Sequence, residues 1–247
     1  MLEIGAASSL ASKGPGVLFA RGERALAGAG RAIPGAFPVG LAPPRPPAHA
    51  GSMGVPAMKP RRATYADLEA VPADKVAELI QGTLYVMPRP APKHTTAASR
   101  LGFKIGGPFD LGERGPGGWR ILIEPELRFP DPSKPGAFDA LVPDLAGWRL
   151  ERLPVLPSTA YFSLAPDWIC EVLSTSTEEH DREVKMPVHA REGVRHAWLI
   201  DPVKRTLEVY TLGASGTWGG PVISRDVDVV RAPPFDAVGL DLSALWT

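Results

Sequence analysis

Three consecutive stretches decide the fold: PDWICEVLS (residues 166–174), DREVKMPVHAREG (181–193) and RHAWLIDPVKRTLEVYTL (195–212). The first is a short apolar run of strand length. Strand alternation sends Ile169, Glu171 and Leu173 to one face and Trp168, Cys170 and Val172 to the other. The second reads as a helix over roughly residues 181–192, with Gly193 placed to end it. The third reads as two strands, 195–200 and 206–212, forming a hairpin around Asp201-Pro202.

Working towards the N-terminus, strand signals recur at 141–148 and 119–129, separated by Pro- and Gly-rich loops. In HTTAASRLGFKIGGPF, Ala97, Leu101 and Ile105 repeat at fourfold spacing, which predicts a helix packed on a sheet and ending near Gly106-Gly107. VAELI and TLYVM flank Gln81-Gly82, so residues 76–87 read as an antiparallel hairpin. Thr64 is a capping residue for a short helix that Pro72 stops. Beyond Leu212, Trp218, Val227–Val230 and Leu240–Trp246 predict one or two further strands and a final turn. There is no internal repeat. The order of elements predicts an α/β (α+β) class with a mixed β-sheet flanked by helices and an N-terminal hairpin.

Composition bounds the rest. The chain has 247 residues, 44% hydrophobic and 22% charged, enough for one main domain with a real core. Residues 1–58 hold 8 Pro, 10 Gly and 13 Ala with only two acids, Glu3 and Glu23, and are expected to be a disordered extension. Met53 and Met58 stand where regular patterning begins, so the start of translation is assigned with equal reason to either end of that extension. The folded domain is expected over 59–247. Lys+Arg and Asp+Glu both number 27, which removes bulk positive charge as an argument for nucleic-acid binding. A single cysteine, Cys170, allows neither an internal disulfide nor a zinc framework, and no apolar stretch approaches a membrane span. A soluble protein of the reducing cytoplasm, without a membrane partner, is the expectation.

Three side chains stand out chemically. Glu171 is a carboxylate among apolar neighbours, which is unfavourable unless it is paired, hydrogen-bonded or metal-bound. Asp144, in LVPDLAGW, interrupts a strand in the same way. Two such acids on neighbouring strand ends would make a hard oxygen pair suited to Mg²⁺, whereas two unrelated strand caps would make nothing. Lys185 shares a helical face with Asp181 and His189, either as an ordinary surface pair or as a fixed charge held over the two acids. Pro187 disturbs the middle of that helix. Cys170, facing away from Glu171, reads as core, as do Trp148, Trp168 and Trp198.

From Thr64 to about Leu212 the chain resembles the Uma family of bacterial restriction-endonuclease-like proteins, a branch of the PD-(D/E)xK nuclease superfamily. The matching stretches are AELIQGTLYVMPRPAPKH, VPDLAGWR, PDWICEVLSTST and DREVKMPVHAREGVRHAWLIDPVKRTLEVY. The resemblance implies that Asp144 and Glu171 hold Mg²⁺, with Mn²⁺ as a substitute, for hydrolysis of a phosphodiester in nucleic acid, with DNA the expected polymer. It departs from the superfamily pattern two residues beyond Glu171, where Leu173 replaces the expected lysine. Lys185 matches the position from which family members supply that charge on the following helix. Glu78 and His94 also fall in the matching blocks, as a second metal-facing acid and as a phosphate-contacting or helix-capping imidazole.

The competing readings are a nuclease-fold module that binds nucleic acid or protein without cutting, and a hydrolase of small phosphorylated substrates. Arg100, Lys104, Arg149 or Arg182 lining a groove near Asp144 would favour a phosphate backbone; a closed apolar pocket would favour a small substrate. A homodimer is compatible with double-strand cutting but is not derivable from one chain.

Overall fold

The computed structural model describes residues 61–246. The expected extension 1–58 and the alternative starts at Met53 and Met58 lie outside them. Helix α1 (Tyr65–Glu69) begins at Thr64, whose backbone N–H and hydroxyl both donate to the Asp67 carboxylate at 2.7 Å. Strands β1 (Lys75–Ile80) and β2 (Thr83–Pro88) form the expected hairpin in register Glu78 opposite Tyr85. Gln81 and Gly82 both have positive φ, 49° and 73°, the twist that a two-residue hairpin turn requires. Helix α2 (Pro92–Ile105) follows and widens into a π-turn over Gly106–Asp110.

Two expected strands are each split. The run 119–129 becomes β3 (Trp119–Ile123) and β4 (Leu127–Pro130), divided at Glu124, φ 49°, and Pro125. The run 141–148 becomes β5 (Phe138–Leu141) and β6 (Leu145–Arg149), divided at Val142-Pro143-Asp144, because proline gives no ladder hydrogen bond. Each split lets the chain change sheets. β4 and β5 join the hairpin in a four-stranded sheet of order β2-β1-β5-β4, while β3 and β6 enter a larger sheet. That six-stranded sheet also takes β7 (Trp168–Val172), β8 (His196–Asp201), β9 (Thr206–Leu212) and β10 (Trp218–Arg225), in order β10-β9-β8-β7-β6-β3. Only β7 and β8 run parallel in it, joined by the expected helical segment.

That segment is one irregular run: α3 (Glu178–His180), a π-turn over Asp181–Lys185, and α4 (Met186–Arg191). The wide turn immediately precedes Pro187, whose missing N–H leaves no α-type bond to make there. Gly193, at φ 77°, ends the run as expected. The tail adds the ribbon β11 (Val229–Val230) and β12 (Leu240–Asp241) and a last turn over Leu242–Leu245.

While the edge strand β10 is largely exposed, the centre of the six-stranded sheet is buried on both faces. On one, α2 and the tail cover Trp168, Cys170 and Val172; on the other, α4 and the smaller sheet cover Ile169 and Leu173. Alternation along β7 therefore runs as the sequence predicts. Trp148, Trp168 and Trp198 are all buried core, with Trp168 and Trp198 packed edge to face at 5.4 Å. Gly147 makes room for this layer: a Cβ there would lie 3.2 Å from the Trp168 ring. Cys170 is buried, and burial, reinforced by Asp144 and Glu171, pushes its thiol up and away from reactivity. Among the described residues, no helix is long and apolar enough to cross a membrane.

Candidate active site

Asp144, Glu171, Lys185, Glu78 and His94, five residues from four separate blocks of sequence, line one cleft of about 240 Å³. The sheet switch creates it. Asp144 sits at the entry to β6, just after the Pro143 break, and Glu171 lies on the adjacent β7. The two grip each other's strands: Asp144 Oδ2 accepts from the Val172 N–H at 2.6 Å, and the Asp144 N–H points at Glu171 Oε2 at 3.4 Å. The acids are thus neighbours.

Lys185 reaches the pair from the π-turn. Its Nζ donates to Glu171 Oε2 at 2.8 Å and to the Val142 carbonyl at 3.0 Å, and lies 3.3 Å from Glu78 Oε1 and 3.7 Å from Asp181 Oδ1. Leu173, which stands where a strand lysine would be, is packed in the core on the same face. The ammonium beside Glu171 thus comes from the helical segment that follows the strand.

Glu78, buried on β1, has both oxygens engaged. Oε1 accepts from the Val142 N–H at 2.8 Å and faces Lys185, and Oε2 meets His180 Nε2 at 2.6 Å. His94, in the first turn of α2, places Nε2 3.2 Å from Asp144 Oδ2, while its buried Nδ1 has no partner among the described residues. Three residues here were not singled out from sequence for this site: His180, His189, whose Nε2 lies 3.4 Å from Glu171 Oε1, and the buried Asp181 as a partner of the lysine in the cleft. Asp181 and His189 carry a sequence signal in their fourfold spacing from Lys185; His180 has only its place in the charged block 178–192.

Electrostatics follow from four carboxylates around one ammonium. Burial alone would lower the Lys185 pKa, but Glu171, Glu78 and Asp181 together hold it well above the ordinary lysine value, so it stays charged. Burial would raise Glu78, yet Lys185, His180 and the Val142 N–H hold it down at about 2. The surplus of negative charge falls on the remaining acids. Burial pushes Glu171 well above the usual carboxylate range against the pull of Lys185, with Asp181, Asp144 and Glu78 adding to the rise; Asp181 is raised for the same first reason. Burial would lower His94, but its hydrogen bond to Asp144 and that carboxylate's charge raise it. Burial, then Lys185, lowers His189 to about 3, which keeps it neutral.

Among the described residues no group of three or more His, Cys, Asp or Glu is arranged to hold a metal. A two-carboxylate site is a different matter. Mg²⁺ commonly takes one or two protein carboxylates and keeps water for the rest. Asp144 and Glu171 supply that donor chemistry in a cleft where acids outnumber cations, so the residues fit such an ion.

The groove arginines proposed from sequence are elsewhere. Arg100 donates to the Trp246 carbonyl, Arg149 stacks on Trp119 at 4.2 Å, and Arg182 pairs with Glu208 at 2.8 Å. Neither they nor Lys104 line the cleft; Arg89 does, beside Ser174–Thr177.

Comparison with known proteins places the chain. Residues 62–244 match the model of Uma2, described as "Putative restriction endonuclease". Among solved structures, a crystal structure of "a putative nuclease belonging to DUF820 from Anabaena variabilis ATCC 29413" is similar in fold. It has a TM-score of 0.58 and 23% identity, over 74% of this chain and 96% of that one. No curated protein matches.

Proposed function

The chain belongs to the Uma2 family, and on that footing we propose that it is a divalent-cation-dependent endonuclease that hydrolyses phosphodiester bonds in nucleic acid, with DNA as its polymer. The observation that carries this reading is the Lys185 ammonium, delivered from the π-turn to within 2.8 Å of Glu171 beside Asp144, on a chain whose strand offers only Leu173 in its place. In this reading Asp144 and Glu171 would hold Mg²⁺ or Mn²⁺. When bound, such an ion supplies Lewis acidity, polarising a phosphoryl oxygen and acidifying a water.

The chain's own groups do the rest. Asp144 is the most open of the acids, its side chain 16% exposed against 1% for Glu171, so substrate meets it first. Its contacts with Val172 and His94 both fall on Oδ2, which leaves Oδ1 available to a ligand. Glu171, buried and pinned by Lys185, cannot swing away. Lys185 provides a fixed positive charge that needs no reorganisation as charge builds on the phosphate. His94, held through Nε2 at 3.2 Å from Asp144, fixes that carboxylate's Oδ2, and Arg89, which lines the cleft, suits the adjoining phosphate backbone.

One observation favours the non-cutting alternative: the four basic residues expected to line a groove do not. The test is cleavage of supercoiled plasmid, single-stranded DNA and RNA by the full chain, with Mg²⁺, Mn²⁺ or chelator, beside Glu171→Ala and Lys185→Ala variants checked for folding by circular dichroism. Ion-dependent cutting lost in both variants supports the reading. A folded wild type that cuts none of the three substrates overturns it in favour of a binding module.

A further inference from the structure

The lysine on which the proposed reaction depends is itself held by a second, deeper pair. Lys185 donates to Glu171 at 2.8 Å and to the Val142 carbonyl at 3.0 Å, and its ammonium pairs with the Glu78 carboxylate at 3.3 Å. Glu78 in turn accepts from the N–H of the same Val142 at 2.8 Å. The acid and the lysine together therefore hold both backbone polar groups of Val142, two residues before Asp144. Behind Glu78, His180 closes the chain at 2.6 Å, its ring packed against Tyr85 with centroids 4.5 Å apart. Tyr85 is the cross-strand partner of Glu78, so the hairpin supplies both the acid and the wall behind its imidazole.

His180 and Lys185 are five residues apart, a spacing that puts two side chains on different faces of an α-helix of 3.6 residues per turn. The π-turn over Asp181–Lys185 widens the helix at that point, and both residues reach Glu78. A wide turn is unfavourable in isolation, and here it is what lets one carboxylate touch both residues.

We propose that Glu78 and His180 are positioning residues for Lys185 and for the Val142–Asp144 link, with Glu78 not a metal ligand. This rests on the nuclease reading above. Glu78, with both oxygens engaged inside the protein, anchors the ammonium and the strand switch from behind; His180 orients Glu78; the ion's ligands are Asp144 and Glu171 alone.

The test compares full-length wild type with Glu78→Gln, His180→Phe and His180→Gln. It measures Mn²⁺ affinity by calorimetry, kcat and KM for cleavage in the ion that supports wild-type activity, and melting temperature. His180→Phe keeps the packing on Tyr85 and removes the donor; His180→Gln restores a donor. The expected result is a fall in kcat of about 10- to 100-fold for Glu78→Gln, the size usual for residues that orient a site's ligands, with KM and Mn²⁺ affinity within about threefold of wild type. His180→Phe falls about tenfold and His180→Gln recovers most of that loss. Should Glu78→Gln fail to fold, the His180 pair carries the test. Tenfold weaker Mn²⁺ binding in Glu78→Gln makes Glu78 a ligand and overturns the proposal. Equal losses in His180→Phe and His180→Gln, or a kcat untouched in a folded variant, overturn it as a merely structural contact. These outcomes occur in a protein that cuts; a folded wild type that does not cut overturns the nuclease reading and the positioning role together.

Discussion

The two faces of β7 are equally buried and chemically opposite. One carries Trp168, Cys170 and Val172 into a dry layer of aromatic rings; the other carries Ile169 and Leu173 into a second apolar layer and, between them, Glu171 into a knot of four carboxylates, one lysine and three histidines. The first face is stabilised by removal of apolar area from water, about 25 cal/mol per Å². The second opposes that trend, since buried charges regain in mutual attraction little more than they lose in desolvation. A fold selected for stability alone would place an apolar side chain at Glu171 as it does at Ile169 and Leu173 on either side. The difference separates the apolar layers that make the protein fold from the charged knot set into one of them.

Four expected outcomes break or sharpen that contrast. The largest concerns the dry face: Trp198→Ala should cost about 3–5 kcal/mol in denaturant unfolding, as large-to-small changes in a packed core do. The residual folded fraction should keep a native charge cluster and native cleavage per folded molecule. Next comes the charged cluster, where Lys185→Met should lower kcat by about 10²–10³, the range for loss of one fixed electrostatic stabiliser. It should also destabilise at neutral pH by leaving the surrounding acids unpaired, and regain stability as those acids protonate in mildly acidic solution. A melt whose loss is the same at every pH would break the contrast. Third, Gly147→Ala should cost about 1–3 kcal/mol by driving a methyl against the Trp168 ring. A stability curve that superimposes on wild type would show a looser tryptophan layer than the packing describes.

The smallest effect is acid sensitivity. His189 is held neutral with a pKa of about 3 against an ordinary 6.5. Between those values the unfolded chain takes up a proton that the folded chain refuses. The contribution is therefore complete above about pH 6.5 and is lost as pH falls towards 3. Glu78, held at about 2 against an ordinary 4.5, acts in the same sense lower down: its stabilisation is present above 4.5 and is lost as pH falls through 2. His189→Gln should lessen the slope of that acid limb from pH 6.5 down to about 3 and leave the Glu78 contribution below 4.5 in place, in melting temperature followed against pH.

What could be read from the sequence divides along the same line. Periodicity is a record of burial, so the two faces of β7, the Gln81-Gly82 hairpin, α2 and the β8–β9 hairpin were all legible before any coordinates. Breaks within apolar runs were not: Glu124 and Pro143 divide strands whose flanks are equally hydrophobic, and nothing in a pattern of buried residues says that the chain has changed sheets. The convergence of Asp144, Glu171 and Lys185 was expected through family resemblance, because spacing along a chain carries no distance between strands. His180 lay outside the expected site because it precedes the helix read over 181–192 and a spacing of five turns it away from Lys185 on an α-helix; the π-turn before Pro187 brings both to Glu78. Asp181 shares the Lys185 face as its fourfold spacing predicts, but spacing does not say that the pair is buried. The groove arginines failed for a simpler reason. A basic side chain near an active residue in sequence is as free to pair with Glu208 or a carbonyl as to face a substrate.

The central claim, that the charged face serves chemistry and not stability, is tested most directly by Glu171→Gln. This isosteric change keeps hydrogen-bonding capacity and removes one buried charge. Melting temperature and Mg²⁺- or Mn²⁺-dependent cleavage should be measured on the same preparation of full-length protein. The account predicts a melting temperature equal to or above that of wild type and no detectable cleavage. A variant that melts well below wild type yet still cuts at the wild-type rate per folded molecule would contradict it.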